Sequence, residues 1–360
     1  MHPLFGADLG TLVRLLRRNG PISPTCMPMM TLAILSAIGR APFRLGEQAY
    51  IAKRRRSAPP MPPPIFIIGH WRSGTTHLYN ILSKGDFGYV SPFAAGMPLE
   101  YQTLGRWLRP LLTSMLPKTR YVDQVVVRPD SPQEDEIPLG SIAPISFYHG
   151  VYFPRRFEHH LKRSFFLDEC SPGEIAAWEK AFCLFLEKLW LEQGRRLLIK
   201  NPAYSGRVPQ LRRLFPDARF IHIYRNPHDV FRSTRRFYRT LIEKFAWQTQ
   251  GPLDLDRIVL DGYRRMMAQI AKDTEHLPSH QFAELSFENL ERQPLIEIEQ
   301  LYRQLDLGDY AQNRDVFSRY LETVRGFEKT HIPETSDDRE MVERQCRDVL
   351  ERFGYAADIP

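Results

Sequence analysis

Two kinds of apolar pattern run along this chain. The stretch Pro64-Ile65-Phe66-Ile67-Ile68 is apolar without interruption, as a strand covered on both faces should be. A turn carrying Gly69 and Gly74 follows, and from Thr75 onward the apolar positions Leu78, Ile81 and Leu82 take helical spacing. Arg196 to Pro202, then Leu211 to Ser233, read as strand, short helix, strand, turn, helix. Phe220 to Tyr224 is the mostly apolar central strand of that group. From about Asp256 the chain alternates long amphipathic helices with one short strand, Gln281 to Ser286. Together these patterns predict an α/β fold: a three-layer P-loop-type domain with a central parallel sheet flanked by helices.

The first residues differ in character. Leu12 to Arg18 is amphipathic, with Arg14, Arg17 and Arg18 on its polar side. Cys26 to Ile38 is apolar but shorter than the roughly 20 residues that span a bilayer. Lys53-Arg54-Arg55-Arg56 then leads into a linker carrying Pro59, Pro60, Pro62, Pro63 and Pro64. A secretory leader would place its charge and apolar core earlier, with a small-residue cleavage site. Two readings stand for residues 1–58: a helical flap resting on a membrane surface or lining a pocket, or an arm packed on the main domain. Residues 59–360 read as a single domain, with an insertion around 85–195.

Composition narrows the class. A chain of 360 residues with 43% hydrophobic content buries a full core. Its net charge of +7 is modest for that length and does not indicate nucleic-acid binding. Cys26, Cys170, Cys183 and Cys346 are far apart and form no metal-ligand spacing, so they read as reduced thiols of a cytoplasmic protein.

The strand, the Gly-bearing loop and the helix start form an anion cradle. The first amides of a helix lack intrahelical acceptors, and its dipole places partial positive charge there. Gly69, Gly74 and Thr76 fit the frame G-x-x-x-x-G-K-S/T, but Thr75 stands where the Lys belongs and the cation sits earlier, at Arg72. A nucleoside triphosphatase needs that Lys and a Mg²⁺ site. At the end of the Phe220–Tyr224 strand stands Arg225, where a phosphate-hydrolysing enzyme often carries a metal-binding Asp. A cation there argues for a second anion, with Arg225 and Ser233 meeting one phosphate from the strand end and the helix that Pro227 opens. The plainer alternative is a buried strand followed by an ordinary capped helix.

With both segments in order, the chain resembles the sulfotransferase superfamily, roughly over residues 60–310, and its bacterial-type members most. The resemblance implies an enzyme that uses 3′-phosphoadenosine 5′-phosphosulfate (PAPS) as sulfuryl donor. It assigns the 5′-phosphosulfate to Arg72, Ser73, Gly74, Thr75 and Thr76, and the 3′-phosphate to Arg225 and Ser233. Ser286-Phe287-Glu288-Asn289-Leu290 is similar to the family's Tyr-Glu-Asp-Leu segment, which places Phe287 near adenine as a ring that stacks without donating a hydrogen bond. Arg72 stands where many cytosolic members have Lys. The family's closing segment near the C-terminus is represented at most by Lys329-Thr330-His331.

The implied reaction is in-line displacement at sulfur by an acceptor hydroxyl or amine, releasing adenosine 3′,5′-bisphosphate without a metal. Arg72 and Lys200 are the expected charge stabilisers. Pro202 occupies the place of the histidine base of cytosolic relatives, and Tyr204 nearby is a phenol, a poor base at neutral pH. The base is therefore sought in Ser131-Pro132-Gln133-Glu134-Asp135-Glu136. There Ser131 and Glu134 fit a capping box with Pro132 at the first helical position, and Glu136 is favoured over Glu134 for the chemistry. The aromatic and aliphatic residues of 85–195 favour a hydrophobic small-molecule or lipid acceptor, and peripheral membrane contact would run through residues 1–58. Rival functions are a nucleotide kinase or NTPase, and a non-catalytic membrane-associated nucleotide binder. His222 reads as a core histidine, His70 either touches a ligand or packs, and Arg212-Arg213 and Arg235-Arg236 read as solvated helix faces. His159-His160 lacks ligand spacing for a metal.

Overall fold

A computed structural model describes residues 2–122, 125–326 and 332–356. Lys329, Thr330 and His331 lie outside the described residues. The chain divides into two compact units: Met1–Pro62 with Gly88–Leu197 and Thr240–Leu253, and Pro63–Phe87 with Leu198–Arg239 and Asp254–Pro360.

The second unit holds the sheet. Its strands are β1 (Ile65–Ile68), β2 (Leu198–Lys200), β3 (Arg219–Tyr224) and β4 (Phe282–Ser286), in the order β2-β1-β3-β4. All three pairings are parallel, with Ile67 opposite Lys200 and Ile221, and Tyr224 opposite Ser286. A parallel sheet is covered on both faces, and all four residues of β1 are fully buried. Phe66 stacks on Phe220 within this core. Because the strands are parallel, their C-terminal ends share one edge. The chain leaves β1 toward β2 on one side and β3 lies on the other, so the crevice at the end of β1 is the switch point where α/β sheets bind ligands. The chain is an α/β protein with a central parallel sheet flanked by helices.

The first unit is helical. Its longest element is the helix Met27–Arg55, which buries only the stripe Ala33, Ala37, Glu47 and Ile51. The helix does not end with the apolar run at Ile38. The helix continues through Arg40, Pro42 and Arg44, because Arg40 pairs with Glu100 at 2.7 Å and bonds the carbonyls of Phe5 and Ala7. The whole helix is thus long and apolar enough to cross a membrane by length and composition, unlike the short run read from the sequence.

Two further expectations change. The capping box at Ser131 does not form: the helix begins at Glu136 with Asp135 as its cap residue. Ser131 Oγ instead accepts from the Arg128 amide at 2.8 Å, and the Gln133 amide donates to the Val90 carbonyl at 2.8 Å, which holds this stretch outside the helix. Arg235 is half-buried and clamped by carboxylates rather than on a solvated face. It pairs with Asp338 at 2.8 Å and Asp256 at 3.1 Å, which holds its guanidinium above its ordinary pKa against the opposing effect of burial.

Candidate functional site

The loop after β1 is shaped by backbone conformations that most side chains avoid. Gly69 has φ +135° and passes so close to β3 that a Cβ would lie 2.3 Å from the Ile223 carbonyl oxygen. Gly74, at φ +92°, caps the helix Thr75–Leu82, and a Cβ there would meet the Phe287 ring at 2.2 Å. Between them Arg72 takes φ +71°, a left-handed conformation uncommon for a side-chain-bearing residue. The loop is pinned by the Gly69 amide donating to Ser205 Oγ at 2.8 Å and the Ser73 amide donating to the His70 carbonyl. Ser73 and Thr75 are buried, and the amides of the first helical turn open at this place.

The two sequence segments converge on Arg72. Its Nε donates to Ser233 Oγ at 2.8 Å, and its carbonyl lies 3.5 Å from Arg225 Nη1. Arg225 also pairs with Asp229 at 2.7 Å, and its guanidinium lies 4.8 Å above the Phe287 ring. Its Nε is buried and has no hydrogen-bond partner among the described residues. Lys200, at the end of β2, points its ammonium to Thr76 Oγ1 at 3.3 Å and lies 6.0 Å from the Tyr79 ring. Arg72, Ser73, Gly74, Thr75, Thr76, Lys200, Arg225, Ser233 and Phe287 thus all belong to the second unit, around the C-terminal edge of its sheet. Cationic and hydroxyl donors gathered at a helix N-terminus suit phosphate or sulfate oxygens. The Arg225 Nε, without a partner among the described residues, suits an additional anion.

Several supporting groups escaped the sequence reading. Asp229 bridges Arg225 and Arg232, a spacing along the helix Pro227–Phe245 that i, i+4 pairing would have flagged. Glu288 accepts from the Asn226 amide at 3.1 Å and from the Tyr355 hydroxyl at 2.7 Å, tying the turn after β3 to the segment after β4. His70 is fully buried behind the loop, edge-on to Tyr263. Its Nδ1 donates to the Trp71 carbonyl at 3.0 Å, and burial pushes its pKa down to about 4, so the ring is neutral. His222 pairs with Glu284 at 2.7 Å as a buried strand residue.

The acidic segment lies in the first unit. Glu136 is fully buried, and its Oε1 accepts from Ser146 Oγ at 2.7 Å and the Phe147 amide at 2.6 Å, holding the start of the next helix. Glu134 is 7% exposed. Among the described residues no group of three His, Cys, Asp or Glu side chains is placed to hold a metal ion.

A sulfotransferase family model matches residues 63–311 of the chain, more than half its length. The chain belongs to the sulfotransferase family, whose members use PAPS as donor, and it is a transferase of sulfuryl groups. Two curated relatives, both omega-hydroxy-beta-dihydromenaquinone-9 sulfotransferase Stf3, come from Mycobacterium bovis and Mycobacterium tuberculosis. Each is 28% identical over 301 residues, covering 83% of this chain and 76% of the relative. Among solved structures, the sulfotransferase STF9 of Mycobacterium avium superposes with a TM-score of 0.67 at 16% identity, covering 96% of both chains. The sulfotransferase STF1 of Mycobacterium tuberculosis gives a TM-score of 0.61 at 14% identity, covering 94% of this chain and 91% of that one. These two share the fold.

Proposed function

We propose that this enzyme transfers the sulfuryl group of PAPS to a hydroxyl of a hydrophobic, lipid-like acceptor. The observation that carries the donor half is the convergence of both phosphate-binding segments on Arg72, through Ser233 and Arg225. In this reading Ser73 to Thr76 and Lys200 hold the 5′-phosphosulfate, Arg225 and Ser233 the 3′-phosphate, and Phe287 the adenine. The acceptor oxygen bonds to sulfur as the bond from sulfur to the bridging phosphate oxygen breaks. Arg72, Lys200 and the loop amides stabilise the negative charge that gathers on that bridging oxygen. The hydroxyl proton passes to a carboxylate of the 134–136 segment. Glu134 is our choice of base over Glu136, since both carboxylates are buried but Glu136 Oε1 is committed to Ser146 Oγ and the Phe147 amide at the start of the neighbouring helix. The acceptor half is supported by the relatives, named for a hydroxylated menaquinone, and by the apolar surface of the first unit.

Calorimetric titration with adenosine 3′,5′-bisphosphate, with Mg-ATP as control, tests the donor site. Micromolar binding is expected, weakened on the order of tenfold to a hundredfold in Arg225→Ala, since a charge-assisted contact of about 1.5–3 kcal/mol is lost. Preference for Mg-ATP would return the site to the nucleotide kinases. Glu134→Gln should then lower kcat by about 10²–10⁴ with bisphosphate binding unchanged. Unchanged turnover would remove Glu134 as the base.

A further inference from the structure

We infer that the first unit carries a face that docks flat on an anionic lipid surface, built from the outer side of the helix Met27–Arg55 and the short helices Leu104–Trp107 and Arg109–Ser114. On the long helix Leu32, Leu35, Ile38, Phe43 and Leu45 are exposed, opposite the buried stripe. Only 11% of its most apolar stretch is buried. On the short helices Trp107 is 87% exposed, with Leu111 and Met115 exposed beyond it. Glu47 joins the two: its Oε2 accepts from the Gln102 and Thr103 amides and from Thr103 Oγ1, so the short helices start beside the long one.

The charges select the occupant. Residues 24–46 and 103–122 contain no Asp or Glu; besides Arg40 and Arg44, which pair with Glu100 and Asp8, they carry Arg106, Arg109, Lys118 and Arg120. The long helix ends in Lys53 and Arg54, followed by Arg55, which is taken up by its pair with Glu187. Two copies of such a face would bring like charges together, whereas anionic headgroups complement them while the apolar side chains enter the acyl boundary. The helix lies along its unit rather than leaving it. Arg40 is tied to Glu100, Glu47 to Lys188 and Arg55 to Glu187, contacts spread over most of its length. A helix held along one side in this way offers the other side to an interface instead of spanning. An exposed Trp flanked by cations is the composition of a membrane–water boundary. This face deepens the proposed lipid-like acceptor, since it would bring the enzyme to where such a molecule resides, but it stands on its own contacts.

The test is co-sedimentation of the full chain with phosphatidylcholine vesicles, with and without phosphatidylglycerol. Binding to the anionic vesicles is expected, reduced by salt and accompanied by a blue shift in tryptophan emission from Trp107. The double variant Leu35→Glu, Trp107→Glu should bind them about tenfold or more weakly, while keeping the wild-type melting temperature and bisphosphate affinity, which shows that it folds. No binding to anionic vesicles would overturn the proposal. So would a dimer in light scattering that the same variant dissolves without changing vesicle binding. Failure of the bisphosphate titration alone would overturn the donor assignment and leave this face intact.

Discussion

The two units place the same kind of side chain in opposite ways. Of the fifteen large hydrophobic side chains exposed among the described residues, fourteen lie in the first unit and one, Ile296, in the second. In the second unit apolar runs become strands with both faces covered, and what remains partly exposed in residues 69–76 after β1 is Arg72, Gly74 and Thr76. In the first, a long helix buries one stripe and leaves the rest of an apolar sequence outside. The buried polar groups differ as well. The donor loop depends on backbone placement at Gly69, Arg72 and Gly74, whereas the helical unit depends on ion pairs such as Glu47 with Lys188 at 2.5 Å. Precision in one is steric, and in the other electrostatic.

The largest effect that would sharpen this contrast is expected at Glu47. Lys188 is buried, and desolvation already lowers its pKa against the pull of Glu47. Glu47→Ala would leave that ammonium without its ion-pair partner, with only the Pro98 carbonyl and the Tyr101 ring beside it, and strip the acceptor from Gln102 and Thr103, costing about 3–5 kcal/mol. Chemical denaturation measures the loss. A change under 1 kcal/mol would mean that the ion pair is not what fixes the helix.

Gly74→Ala comes next. It adds a Cβ at positive φ, costing about 1–2 kcal/mol in backbone strain, and pushes the Phe287 ring from its place under Arg225. Bisphosphate affinity should fall by more than the melting temperature suggests. Equal affinity in the variant would break the claim that steric placement governs this loop.

The smallest effect is a separation of the units in acid. Burial lowers His2 and His149 in the first unit, and His70 in the second, to about 4. The unfolded chain takes up these protons near pH 6.5 and the fold refuses them, so their stability is complete above 6.5 and drains away as pH falls toward 4. His160, also buried in the first unit, shifts in the same direction. The first unit, with Trp107, Trp178, Trp190 and Trp247 against Trp71 alone in the second, should therefore lose most of the tryptophan signal at higher pH than bisphosphate binding is lost. Simultaneous loss of both signals would show that acid does not separate the units.

The sheet and the loop were legible because their causes are local. An unbroken apolar run with glycines behind it permits few other structures, and Arg72, Arg225 and Ser233 lie beside elements that declare themselves. Their meeting was only half legible: the sequence joined Arg225 to Ser233, but not either of them to Arg72. The first unit hides its logic in distant partners. Nothing near Arg40 announces Glu100, so the apolar helix looked shorter than it is. Nothing near Ser131 announces the Val90 carbonyl that draws Gln133 out of a helix, and Asp256 and Asp338 turn Arg235 from a solvated residue into a clamped one.

The tether on Arg72 bears on selectivity among adenylyl sulfates. Its side chain leans on Ser233 and its carbonyl on Arg225, the two residues assigned to the ribose 3′ position. Under the proposed assignment, a donor lacking the 3′-phosphate would leave both supports disengaged from ligand and Arg72 less well aimed. Discrimination would then appear in turnover at saturation as well as in affinity, with one residue coupling the two ends of the nucleotide.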